Sequence, residues 1–210
     1  MSGAATRMPA REAARVAASF IARIADVCER VEIAGSLRRR ASTVGDIEIV
    51  AVPQMDQVKG VDMFGEVVAT HAVDRLGERI DSLIGDGIVA KRPLADGTFR
   101  YGGRHKRLTF DSAPIDLFIC DRERWGVIFC IRTGPYQYSH QLVTERGKVV
   151  KVGTAPDGRP LTRIGLLPAH LRVQGGWLTS RTSGQRIATP EESDFFDAIG
   201  LPFVAPEDRR

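Results

Sequence analysis

The run Gly45-Asp46-Ile47-Glu48-Ile49-Val50 sets two carboxylates one residue apart inside an apolar stretch. Successive side chains of a strand point to opposite faces, so this alternation predicts a half-buried strand. Ile47 and Ile49 face a core, and Asp46 and Glu48 share the other side. Two like charges about 6–7 Å apart at the backbone repel unless a cation sits between them. A third acid, Asp116, lies between Ile115 and Leu117 in a second apolar run, Ala113–Cys120. Oxygen ligands with no nearby His or Cys favour Mg²⁺ or Mn²⁺, and Asp116 would complete a site for one or two ions.

The segment just before the acids carries the opposite charge. Gly35 and Ser36 lead into Arg38, Arg39 and Arg40. A glycine lets backbone approach a phosphate closely, a serine offers a hydroxyl and an amide, and an arginine holds phosphate oxygens bidentately. An anion grip followed by metal ligands on one turn–strand unit suits attack on a phosphorus with departure of pyrophosphate. Asp116 is the expected acceptor of the attacking hydroxyl's proton.

The rest of the chain reads as an α+β protein. Apolar residues at helical spacing predict a helix over residues 9–31 and a second over 62–84. Strand-like segments follow the second helix up to Cys120. The segment from Trp125 starts apolar, breaks at Thr133-Gly134-Pro135, and resumes as a short helix ending near Gly147. A domain boundary is expected there, separating residues 1–132 from a small β-rich unit, 133–210. Two hairpins are expected around Gly175-Gly176 and Ser183-Gly184. A last helix is expected with Thr189 as cap, Pro190 in its first position and Gly200 closing it.

Composition excludes little else. Hydrophobic residues make up 43% and charged residues 27%, the balance of an ordinary globular protein. No run approaches a membrane span, no leader peptide is visible, and a cytoplasmic location is expected. Cys28, Cys120 and Cys130 are widely spaced among apolar neighbours, so buried reduced thiols are expected. The net charge of +4 is small, but its cations cluster. Arg38–Arg40, the Arg100–Arg107 segment, and Lys148, Lys151, Arg159, Arg163 and Arg172 fit a polyanionic partner.

Taken together, Gly35 to Val50 resembles the nucleotidyltransferase signature of family X DNA polymerases, the group that includes DNA polymerase beta. The resemblance implies a palm with a mixed sheet of about five strands and helices on one face, plus a small C-terminal thumb. It implies that Asp46, Glu48 and Asp116 bind two Mg²⁺ or Mn²⁺ ions. Gly35, Ser36, Arg39 and Gly45 would hold a nucleoside triphosphate, joined by Thr133, Gly134 and Tyr136 at the palm–thumb junction. Arg104, Lys106, Arg107, Ser139, Lys148 and Lys151 would contact the nucleic acid. The implied activity is addition of nucleoside monophosphates to a nucleic-acid 3′-hydroxyl by a monomer acting on primer–template or gapped DNA, as in repair. RNA ends or another acceptor, and a catalytically weak binding module, are the alternatives.

The chain departs from the family pattern at two places. Glu48 stands where Asp is usual. Ile131-Arg132 stands where an aromatic pair precedes the Thr-Gly turn, with Tyr136 and Tyr138 just after. Only 34 residues precede Gly35, so a short palm-plus-thumb form is expected.

Overall fold

The acid-bearing run does form a strand, and the main sheet is built around it. The computed structural model describes residues 7–61 and 66–210. Its first part comprises β1 (Met8–Pro9), α1 (Ala10–Ala22), β2 (Cys28–Ile33), α2 (Gly35–Arg38), β3 (Thr43–Val44), β4 (Ile47–Pro53), β5 (Met55–Val61), β6 (Val67–Asp74), α3 (Arg75–Gly85), β7 (Val89–Lys91), β8 (Tyr101–Gly102), β9 (His105–Phe110) and β10 (Ala113–Ile119). Then come α4 (Trp125–Thr133), α5 (Tyr136–Val143), β11 (Val149–Thr154), β12 (Pro160–Ile164), β13 (Leu171–Gln174), β14 (Trp177–Ser180), β15 (Arg186–Ile187) and α6 (Glu192–Ala198).

The fold is α+β with a mixed sheet. Its strand order is β2-β4-β10-β9-β7, with β8 on β9. Within it β4 and β10 pair in parallel and the other pairs are antiparallel. Odd positions of β4 (Ile47, Ile49, Ala51) pack with Ile115 and Leu117 against α1 and α3, around Phe20, Leu76 and Ile80. The other face is not open along its length. Val50, Val52 and Phe118 there meet Trp125 and Phe129 of α4. A separate cluster joins Val127 and Cys130 of α4 to Leu142, Leu178, Phe195 and Phe196. Thus α4, ending at Thr133, lends one stripe to the sheet and another to the C-terminal part.

Three expectations about elements need correction. The first helix stops at Ala22 rather than residue 31, because Cys28–Ile33 alternates well enough to pair with β4. The second expected helix begins at Arg75. Its N-terminal half is β6, the partner of β5 in a hairpin from Met55↔Asp74 to Val61↔Val67. Val67, Val68, Thr70 and Val73 favour extended backbone at χ1, and the ladder overrides the helical spacing. The helix starts where the Asp74 carboxylate accepts from the Gly77 amide at 3.0 Å. Residues 62–65 of that expected helix lie outside the described residues. The last helix is capped by Glu191 and Asp194 in a reciprocal pair, not by Thr189, whose amide instead donates to the Glu123 carbonyl.

All three cysteines are free and buried, and burial pushes each thiol up to about 12. Among the described residues no helix is long and apolar enough to cross a membrane.

Candidate active site

The parallel pairing of β4 and β10 puts Glu48 directly opposite Asp116, and Asp46 precedes β4 by one residue. Both Glu48 and Asp116 project from the α4-facing side, since their neighbours in sequence fill the core behind them. Asp46 lies within hydrogen-bonding reach of Asp116, and burial together with that neighbouring charge raises the Asp46 pKa. Burial, then the charge of Asp46, lifts Glu48 to about 7. For Asp116 burial pulls upward, but a hydrogen bond from His105 and the charge of Arg92 outweigh it and hold the carboxyl low. Arg92 Nη2 lies 2.7 Å from one Asp116 oxygen, and His105 Nε2 lies 2.9 Å from the other. Arg107, opposite Asp116 in the β9–β10 register, adds its Nε at 3.4 Å.

The turn ahead of the acids is shaped by Glu48. Gly35 has φ +63°, a conformation unfavourable for residues with a Cβ, and a Cβ there would collide with the Glu48 carboxylate. Expected to make room for a phosphate, Gly35 here makes room for an acid. The three arginines divide the remaining work. Arg38 donates to Thr133 Oγ1 at 2.7 Å and to Glu192 at 2.6 Å, with its guanidinium 3.8 Å from the Phe129 ring centroid. Arg39 donates to the Thr133 carbonyl and borders the cavity above the acids. Arg40 points outward, 3.8 Å from Glu207.

That cavity measures about 580 Å³, a size typical of a small-ligand pocket. Asp46 and Glu48 line it together with Ser36, Arg39, Gly45, Arg132, Gly134 and Tyr136. The sequence pattern set Arg132 apart only as a departure, yet its guanidinium is among the cations of the site. It lies 3.9 Å from the Phe118 ring centroid, and its buried Nε has no hydrogen-bond partner among the described residues. Burial lowers its pKa, while the charges of Glu48 and Asp116 oppose that. Arg92 and His105 were also missed as site residues. Arg107, expected to contact nucleic acid, stands in register with Asp116 instead.

Other expected contacts scatter. Thr133 is fully buried and serves Arg38 and Arg39. Tyr136 is exposed at the cavity rim. Lys106 faces the opposite side of the sheet, buried with its Nζ 4.0 Å from the Tyr101 ring centroid. Ser139 is buried, and its hydroxyl donates to the Ile131 carbonyl at 2.6 Å. Lys148 pairs with Glu145 at 3.0 Å, Lys151 is exposed on β11, and Arg104 lines a second cavity.

The three acids suit a hard divalent cation in chemistry, with mutual repulsion and burial that raise Asp46 and Glu48. The sequence expectation of no nearby His fails, since His105 Nε2 lies 2.9 Å from Asp116. Among the described residues, however, no three acidic, His or Cys side chains converge tightly enough to enclose an ion as they stand. Glu48 leans under the Gly35 turn, and both Asp116 oxygens are taken by cations. Compared with known proteins, the chain matches no family model, and no curated protein is similar to it.

Proposed function

We propose that the chain is a nucleotidyltransferase that adds nucleoside monophosphates to a nucleic-acid 3′-hydroxyl, resembling the family X polymerases in a palm-plus-thumb form. The observation that carries this is the Glu48–Asp116 register on parallel strands. It sets Asp116 beside Glu48 and Asp46, and those two line a cavity whose other walls bring Arg39 and Arg132. Asp46, Glu48 and Asp116 would hold Mg²⁺ or Mn²⁺, which supplies charge neutralisation at the phosphorus and acidifies the attacking hydroxyl. The triphosphate lies against Ser36, Arg39 and Arg132, where the guanidiniums neutralise its oxygens. Tyr136 at the rim and the Gly134 backbone border the nucleoside. Asp116 stays ionised between Arg92, His105 and Arg107. Burial and mutual repulsion raise both Asp46 and Glu48, so that pair, rather than Asp116, is the better placed to accept the hydroxyl proton.

Primer extension tests this, with labelled nucleotides of both sugar types on single-stranded, templated and gapped substrates. Incorporation that needs magnesium or manganese and disappears in Asp46→Asn is expected. A chain that transfers nothing to any acceptor in the panel overturns the proposal. A second reading, a nucleic-acid-binding module without turnover, draws on the three cations that occupy Asp116. It predicts nucleic-acid binding unchanged by Asp46→Asn and no incorporation by the parent.

A further inference from the structure

A second cavity, about 530 Å³, opens near the other end of β10. Asp121, which lines it, follows Asp116 by five positions, about 16 Å of extended chain. One wall is the sheet end, with Arg104, Asp121 and Arg124. The other is the β13–β14–β15 unit, with Arg172, Trp177 and Arg186. The walls are fixed to each other. The β13–β14 turn, Gly175-Gly176, has φ +60° and +85°, the hairpin geometry that glycine allows. Arg124 donates to the Gly175 carbonyl at 3.2 Å, and a Cβ on Gly176 would strike Ile128 of α4.

The charge of this cavity is unbalanced. Asp121 neutralises Arg124 at 2.8 Å. Arg104, Arg172 and Arg186 are exposed and make no ion pair among the described residues. Between them sits a half-buried indole. The Arg186 guanidinium is 5.0 Å from the Trp177 ring centroid, and that of Arg124 is 5.7 Å. Arginines alone fit any polyanion, but an aromatic face inside a cationic hollow selects an anion that carries flat rings. A duplex keeps its base faces covered, and a concave hollow of this size admits an unstacked base.

We infer that this cavity binds a single-stranded nucleic-acid segment, one base stacking on Trp177 and flanking phosphates lying on Arg104, Arg172 and Arg186. The inference rests on the proposed function only for the choice of nucleic acid as the polyanion.

Titration of the full chain with a short oligo(dT), read by tryptophan fluorescence and by anisotropy of a labelled copy, tests it. Trp125 is fully buried, so quenching reports Trp177. Expected are saturable quenching, roughly tenfold or greater weakening in Trp177→Ala, and a salt slope lowered by about 0.7 for each arginine removed in Arg172→Gln and Arg186→Gln. These exposed arginines can be changed without touching the core, so the test survives a poorly folded Trp177→Ala. The inference is overturned if oligo(dT) binds without quenching and with an unchanged salt slope in the arginine variants. Equal quenching by a poly-glutamate peptide, or tighter binding of the matching duplex, also overturns it. Nucleotide transfer is measured on the same proteins. Quenching without transfer removes the proposed function alone, and transfer without quenching removes this site alone.

Discussion

The two cavities flank one sheet and handle charge in opposite ways. At the acid end, like charges are taken partly out of water and crowded. At the basic end, Arg104, Arg172 and Arg186 stand in solvent, where salt screens them within about 8 Å. Crowding buried acids costs stability, and the raised pKa values of Asp46 and Glu48 are the measure of that cost. Exposed arginines cost almost nothing. The acid end is therefore informative by its mere presence, since groups set against stability cluster at functional sites. The basic end becomes informative only through Trp177 and the rigid walls around it. Neutralising Asp46 or Glu48 should remove function while adding stability, whereas neutralising an exposed arginine of the basic end should weaken binding and leave stability alone.

The largest effect is expected at Asp46. Asp46→Asn should lower nucleotide incorporation by about 1,000-fold or more, roughly 4 kcal/mol of barrier. Single-turnover extension measures it, and a residual rate within tenfold of the parent would exclude Asp46 from the chemistry. Next comes the clamp that joins the acid end to the C-terminal part. Glu192 is 6% exposed and is held by Arg38 at 2.6 Å and Arg209 at 2.7 Å, with Arg209 itself 2% exposed. Burial would raise the Glu192 pKa, but the hydrogen bonds from the two arginines lower it. Glu192→Ala leaves a buried guanidinium unpaired and should cost about 3–5 kcal/mol in urea unfolding. A loss under about 1 kcal/mol would mean that the clamp carries no load.

That clamp also marks where sequence stops being informative. The alternation of β4 and β10 made both strands, and the shared face of their acids, legible from local pattern. The turn at Gly35 and the arginines after it were legible as a unit. What each arginine does was not, because Arg38 meets a partner 154 positions away. Likewise, nothing local to Asp116 announces Arg92 or His105. They arrive through the antiparallel β7–β9–β10 arrangement, which is set by long-range pairing. The β5–β6 hairpin was misread because residues 67–84 carry apolar spacing that suits a helix. The β-branched content of the first half was the contrary signal, and strand pairing decided in its favour. Lys106 misled in a simpler way. A lysine in a basic cluster reads as a surface cation, yet strand parity turns it onto the core side beside Tyr101.

Glu48 sharpens the contrast through pH. Its folded value of about 7 lies above the unfolded value of about 4.3, so the folded state binds the extra proton. That contribution is fully present below about pH 4 and is lost as pH rises toward and through 7. Glu48→Gln removes the charge, and should therefore stabilise the protein at pH 8 by about 2–3 kcal/mol relative to the parent, with the gain disappearing near pH 4. Thermal unfolding across that range reads it. A gain equal at both pH values would detach the effect from the Glu48 proton. Magnesium should shrink the gain at pH 8 if these acids hold it.

The smallest expected effect belongs to the other cavity, and its smallness is the point. Arg172 is exposed on β13 and makes no ion pair among the described residues. Arg172→Gln removes no buried contact, so Tm should move by less than about 2 °C at any pH from 4 to 8. The same substitution should still lower oligo(dT) affinity and its salt slope. If Tm instead fell by about 5 °C or more, Arg172 would be part of the scaffold. The two ends of the sheet would then differ in the sign of their charge and not in how that charge is held.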